Sequence, residues 1–326
     1  LRLIFIGASK FGLKCLQRAL KVPDLRVVGV VTADQTFTIS YAPSGVTNVL
    51  HADLASLAAS HGIPVLRLRD SMSDRELLSS VEALLPDAFL VVGWYHMIPR
   101  RWREVAPAFG LHASLLPDYS GGAPLVWAMI NGESKTGVTL FQMDDGVDSG
   151  PIAAQAEEPI RSDDTIATLY ARIEERGLEL LDRTLPLLIA ATLHLEPQPC
   201  SGRRVMPQRS PEDGRIDWTR DASFIDRWIR AQTRPYPGAF TEFEGQRLIV
   251  WSAAIDTEIC AKADPGAVVK GTDGRYVVAC SNGFIQLCEV SHGTQTFTAG
   301  TLATLLRGGG QRLGGLASCM RNSGQC

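Results

Sequence analysis

The sequence predicts an α/β protein in two parts, a parallel sheet wrapped by helices and then a small β-barrel. Two observations carry this. Over the first two hundred residues, apolar runs of strand length alternate with segments of helical spacing, the pattern of right-handed βαβ units. After a stretch rich in Pro, Arg, Ser and Gly, the pattern changes to several short strands at close spacing, which suits a barrel.

The elements follow in order. Leu1–Gly7 is a continuous apolar run closed by glycine and reads as a buried strand. It is too short, and too soon followed by polar residues, for a signal peptide. Phe11–Leu20 has helical spacing, Leu25–Val31 is a second buried strand, Ala52–His61 a helix and Pro64–Leu68 a short strand. Asp74–Leu85 is helical and leads through Pro86 into the strand Ala88–Val92. Phe109–His112 and Gly137–Met143 are further strand-like runs, and Thr165–Leu193 is a long helix that closes the first domain, residues 1–195. Residues 196–212 read as a linker with Arg203, Arg204 and Arg209 exposed. The second domain, 213–310, has a helix at Ala222–Thr233. Strands follow at Ala239–Phe243, Arg247–Ala253, Gly266–Lys270, Tyr276–Ala279 and Phe284–Glu289. Residues 311–326 are expected to form a disordered tail.

Composition excludes several classes. A net charge of −3 over 326 residues advertises neither nucleic acid nor an anionic membrane. No apolar run approaches the roughly 18 residues that span a bilayer. The cysteines are Cys15, Cys200, Cys260, Cys280, Cys288, Cys319 and Cys326. They form no CxxC pair and are odd in number, so neither a metal site nor a disulfide scaffold is expected. Scattered thiols fit a cytoplasmic protein. The fragment FIGASKFG has Gly7 and Gly12 but no GxGxxG, and reads as a tight, closely packed turn rather than a dinucleotide site.

The run from Gly110 to Gly150 carries the chemistry. His112 stands directly before a Ser-Leu-Leu-Pro turn, and Asp148 lies in a second, glycine-punctuated turn. Each sits at or just past the end of a strand-like run, where the sites of parallel sheets lie. An imidazole titrates near working pH and suits proton transfer. A carboxylate can orient it, stabilise its protonated form or take a proton through water. Asp144 and Asp145 read, from the residues alone, as turn carboxylates.

HASLLP, PDYSGGAP, TGVT and DDGVDSGPI in combination resemble the folate-dependent formyltransferases, and DGRIDW with RAQTRPYPGAF extends the resemblance into the second half. The resemblance implies a Rossmann-like catalytic domain, an OB-like C-terminal domain and 10-formyltetrahydrofolate as formyl donor. It implies His112 and Asp148 as catalytic residues, with Gly110 at the position of the usual asparagine. It implies a folate site lined by Ser114, Leu115, Leu116, Pro117 and Gly122. The loop Asp144, Asp145, Gly146 and Val147 would hold the pterin, faced by Trp94, Tyr95, His96 and Met97.

Two positions depart from the family pattern. Gly110 lacks the asparagine amide that serves as an oxyanion donor, and Ser120 stands where Tyr-Arg-Gly is favoured. Restoring the amide by Gly110→Asn is expected to be tolerated.

The acceptor expected from charge is a small amine, a nucleotide-linked amino sugar ahead of methionyl-tRNA. Val27–Leu66 contains no Lys or Arg, and from residue 201 onward there are only 15 basic against 12 acidic side chains. The run GGAPLVWAMINGE also resembles the sugar enzymes more than the tRNA enzymes. A weakened member that binds folate or hydrolyses formylfolate is a further alternative. A homodimer is compatible with the sequence.

Overall fold

A computed structural model describes residues 1–39, 42–199, 202–259, 261–271, 274–306 and 310–314. The chain divides into two compact units. The first comprises Leu1–Ala128, Glu133–Ser162 and Thr168–Gln208; the second comprises Met129–Gly132, Asp163–Ala167 and the chain from Arg209 onward.

In the first unit, β1 (Arg2–Gly7), α1 (Lys10–Ala19), β2 (Arg26–Ala33), a hairpin of β3 (Thr36–Ile39) and β4 (Ala42–Thr47), α2 (Leu54–Ser60) and β5 (Val65–Leu68) come first. Then follow α3 (Arg75–Ala83), β6 (Ala88–Val92), α4 (Arg100–Val105), β7 (Ala108–His112), β8 (Ser120–Gly121), α5 (Pro124–Ile130), β9 (Lys135–Gln142), β10 (Ile152–Pro159), α6 (Ile166–Ile189) and β11 (Val205–Met206). Helix α1 forms because Ser9 caps it, its side chain accepting from the Gly12 amide, and because Phe11, Cys15, Leu16 and Ala19 make one buried stripe. Asp53 and Asp74 cap α2 and α3 in the same way.

The seven-stranded sheet has the order β10-β9-β7-β6-β1-β2-β5. From β5 to β7 neighbouring strands are parallel, and the order reverses between β1 and β6, the doubly wound arrangement. The glycines of FIGASKFG lie at this reversal. A Cβ on Gly7 or Gly12 would press on the Val92 carbonyl, so both serve close packing.

The expected parallel sheet needs one correction. β9 is antiparallel to both β7 and β10. Its carboxyl end therefore lies beside the start of β7, where the Met143 amide donates to the Ala108 carbonyl at 2.7 Å. Asp148 reaches the far end of β7 through the loop that follows.

Residues 196–212, expected to be a linker with exposed arginines, are partly ordered against the first unit. Glu196 and Ile152 exchange backbone hydrogen bonds of 2.7 and 2.8 Å, and β11 pairs in parallel with β8. Arg203 and Arg209 are half-buried, while Arg204 is exposed but paired with Asp118 and Glu133. The described part of the segment is a strap hydrogen-bonded along the stretch from Gly110 to Ile152.

The second unit is antiparallel. A single-turn 3-10 helix (Pro211–Gly214) and α7 (Ala222–Arg230) precede β12 (Ala239–Phe243), β13 (Gln246–Asp256), β14 (Val268–Lys270), β15 (Tyr276–Ala279), β16 (Phe284–His292), β17 (Gln295–Thr298) and α8 (Leu302–Leu306). The strand order is β12-β13-β16-β15-β14, with β17 on β16. Register shifts in β13 between Val250 and Ala253 bend it, as closing a half-barrel requires. Ile225 and Ile229 of α7 pack with Leu248, Val250, Ile285 and Leu287 in its core. The tail expected from residue 311 is paired as far as Gly314: the Leu313 amide donates to Gly266, and Leu313 is buried. Residues 315–326, with Cys319 and Cys326, lie outside the described residues, as do Cys200 and Cys260. Among the described residues no helix is long and apolar enough to cross a membrane.

Candidate functional site

His112 ends β7 and Asp148 lies in the loop after β9. His112 Nδ1 and Asp148 Oδ2 are 3.5 Å apart, and both side chains are mostly buried. His112 Nε2 is 2.8 Å from the Tyr119 carbonyl. The carbonyl and the carboxylate can both only accept, so a neutral ring donates to one of them and the protonated ring donates to both. With both ring nitrogens protonated the contact with Asp148 is an ion pair. The carboxylate is held by the Gly121 amide, which donates to Oδ2 at 2.8 Å. Asp148 itself adopts φ +51°, a left-handed conformation that Asp tolerates better than most side chains.

The Ser-Leu-Leu-Pro turn is clamped from below. Thr139, the last residue of TGVT, donates its hydroxyl to the Ser114 carbonyl at 2.7 Å and accepts from the Leu116 amide. Gln155 donates to the Leu116 carbonyl at 2.8 Å. The Ser114 hydroxyl bonds to the Asp118 carbonyl, and Ser114 and Leu116 are buried, so these two support the turn; Leu115 and Pro117 are half-exposed. Gly137 is glycine because a Cβ would strike the Ala156 carbonyl and Leu115. Gly122 is buried under the strap, where a Cβ would lie 2.5 Å from Gln208 Cα. Tyr119 donates to Glu133 at 2.6 Å, and Arg204 covers its ring while forking onto Asp118. The bonds from Tyr119 and then Arg204 hold the Glu133 carboxyl below its usual range.

Two loops flank this turn. After β6, Gly93 has φ +61° and no room for a Cβ against Ser9. Beyond it Trp94 and His96 are half-buried, with Trp94 Nε1 and His96 Nε2 buried and lacking hydrogen-bond partners. Burial lowers the His96 pKa. Tyr95, Met97 and, on the second loop, Val147 are large apolar side chains left 37%, 56% and 42% exposed. Asp144 staples the second loop by accepting from the Gly146 amide and the Ser149 hydroxyl. Asp145 pairs with Arg103, which holds its carboxyl low and also donates to Ile98 of the first loop. Arg103 thus joins the two loops.

Gly110 faces the same side of β7 as His112, two residues earlier. Its place is filled: a Cβ would lie 2.5 Å from Met143 Cε and 3.1 Å from Phe141 Cε1. Sequence reasoning missed Thr139, Gln155, Arg103, Gln198 and Arg203. Only Thr139 carried a signal, being part of TGVT; Gln155 and Arg103 act on partners 39 and 42 residues away, and Gln198 and Arg203 from a stretch read as linker. Among the described residues no cluster suited to a metal is present.

The formyl transferase family model matches residues 2–185, and the model of the formyl transferase C-terminal domain matches residues 209–304. The chain is 33% identical over 295 residues to a methionyl-tRNA formyltransferase of Geobacter sulfurreducens, covering 89% of each chain. It is 34% identical over 294 residues to that of Chloroflexus aggregans, covering 89% of this chain and 92% of the relative. Among solved structures, the sugar 3N-formyl transferase WlaRD aligns with a TM-score of 0.63 at 17% identity, covering 88% of this chain and 97% of that one. HypX from Aquifex aeolicus aligns with a TM-score of 0.62 at 19% identity, over 95% of this chain and 48% of that one. At these identities the structures speak for the fold alone. The family models and the full-length relatives, taken with the two clamped loops around His112 and Asp148, place this chain in the formyl transferase family.

Proposed function

We propose that the protein transfers the formyl group of 10-formyltetrahydrofolate to the amino group of methionyl-tRNA, with His112 and Asp148 as the proton-handling pair. The observation that carries the acceptor is the 33–34% identity to methionyl-tRNA formyltransferases along nine-tenths of both chains, C-terminal domain included. This reverses the order expected from charge.

The residues fit a folate. A flat, polar-edged ring system needs apolar faces and buried donors. Tyr95, Met97 and Val147 offer the first, and the unpartnered Trp94 Nε1 offers the second, with His96 Nε2 beside it able to donate or accept according to its tautomer. The backbone of Asp144–Val147, stapled by Asp144 and Arg103, is the remaining edge. When bound, the folate supplies the activated formyl group. The protein's part is proton movement and placement. The His112 ring can take up the proton that leaves the attacking amine and return one to the donor nitrogen that departs, while Asp148 stabilises the charged ring between the two transfers. The Tyr119 carbonyl prevents the ring from flipping, and the Gly121 amide keeps the carboxylate in place. The free thiols of Cys15, Cys280 and Cys288 fit a cytoplasmic location.

One observation favours a second acceptor, a nucleotide-linked amino sugar. The stretch 27–66 has no Lys or Arg, and Arg103, Arg203 and Arg204 are engaged inside the protein. Formylation of charged initiator tRNA, compared with amino-sugar nucleotides across salt concentrations, is the test. Turnover of the tRNA that falls steeply with salt is expected. Turnover of the sugar alone would overturn the acceptor, and folate release without any amine would make the protein a hydrolase.

A further inference from the structure

We propose that Arg203, from the strap at the end of the first unit, is a positioning residue that holds the Asp148 loop in its reactive place. The inference rests on the reading of His112 and Asp148 given above. Asp148 sits in a left-handed conformation at the tip of a loop whose own staple, Asp144, ties only Gly146 and Ser149. The strap ties three backbone carbonyls of residues 147–150. Arg203 Nη2 donates to the Val147 carbonyl, and Gln198 Nε2 donates to the Asp148 carbonyl at 2.9 Å and the Gly150 carbonyl at 2.7 Å. The strap is itself held in register on the catalytic turn. The Ser120 amide donates to the Arg204 carbonyl at 3.1 Å, and the Gly122 amide to the Met206 carbonyl at 2.9 Å.

Arg203 joins these two systems. Its Nε donates to the Ser120 hydroxyl at 3.3 Å while its Nη2 holds Val147. The Ser120 side chain belongs to the residue before Gly121, whose amide grips the Asp148 carboxylate. One planar guanidinium therefore spans from the strand under the carboxylate to the residue preceding it in the loop. A fork of fixed geometry does this better than a flexible ammonium. Its neighbour cannot substitute, because Arg204 is committed to Asp118, Glu133 and Tyr119. The placement also accounts for a departure in the sequence. At Ser120, where the resemblance expects an arginine, a guanidinium is present after all, delivered from more than eighty residues away.

The test uses the full chain with Arg203→Ala, Arg203→Lys, and the double variant Arg203→Ala/Ser120→Arg. Four quantities are read: kcat and donor KM of formyl transfer, Tm, and hydrogen–deuterium exchange of the peptide covering residues 143–151. Arg203→Ala should lower kcat by about tenfold to a hundredfold, because a carboxylate displaced by about 1 Å loses that much. Its Tm should change little, and exchange across 143–151 should rise. Arg203→Lys should recover only part, and Ser120→Arg in the Ala background should restore kcat and exchange protection together. Unchanged kcat and exchange in Arg203→Ala would overturn the proposal. So would a loss of activity that tracks a collapse in Tm and is not rescued by Ser120→Arg, since the strap would then be packing only. Wild-type turnover is the control for the functional reading. If the wild type transfers no formyl group, that reading fails, and the exchange measurement still decides whether Arg203 holds the loop.

Discussion

Introducing asparagine at position 110 probes how the site is built. From sequence, Gly110→Asn restores an amide donor and should be harmless. The structure sets a cost first. A Cβ at this position falls 2.5 Å from Met143 Cε and 3.1 Å from Phe141 Cε1, where comfortable carbon contacts lie at about 3.5–4.0 Å. The Met143 methyl must retreat by about 1 Å or more, and the Phe141 ring, cross-strand partner of Gly110, must give by a few tenths. The amide group then needs further room. Met143 Cε ends a flexible, half-buried side chain and can swing aside, so the cost falls mainly on the Phe141 ring and lies at the low end of the overpacking range, about 1 kcal/mol. In a unit of this size each kcal/mol lowers Tm by about 2–4 °C, so Gly110→Asn should melt a few degrees early. Met143→Ala removes the atom in the way. The pair should therefore be non-additive, by about half a kcal/mol or more, in a double-mutant cycle. The doubly substituted enzyme would carry an amide on the face of β7 that bears His112, and its kcat should exceed that of Met143→Ala alone, since an oxyanion donor is worth about a hundredfold or more. Wild-type Tm in Gly110→Asn, or strict additivity in the cycle, would refute the packing argument. A stable double variant with no gain in rate would show that the oxyanion is stabilised elsewhere.

The proton-handling pair is tested by His112→Ala and Asp148→Asn. Asparagine accepts φ +51° about as well as aspartate, so Asp148→Asn isolates the charge. Each variant should lose about a hundredfold or more in kcat with Tm near wild type, and near-normal kcat at saturating substrates would remove the residue from the mechanism. Glu133 predicts a pH dependence. Tyr119 and Arg204 hold its folded pKa below its unfolded value, so its contribution is full above the unfolded value and fades as pH falls through the folded one. Thermal melts of wild type and Glu133→Gln should differ at neutral pH and converge in acid, and a gap independent of pH would show that the carboxylate charge is not the source.

The sequence by itself determined the elements whose signals are local. β1, α1, Ala88–Val92 and Ala239–Phe243 fall within a residue or two of their apolar patterns, because burial of one face dictates the period along the chain. It also determined the family and singled out His112 and Asp148, since a turn with fixed chemistry leaves contiguous motifs. Only the tertiary structure decided that β9 runs against β7, so that Asp148 returns along a loop rather than ending a parallel strand. It alone showed the hairpin of β3 and β4, the pairing of β8 with β11, and the strap in place of a linker. It alone showed Met143 and Phe141 occupying the space beside Gly110, and Arg203 beside Ser120. These facts are pairings between residues tens of positions apart. Nothing in the local period or composition of either partner encodes the other; their meeting is set by how strands and loops close on one another in space.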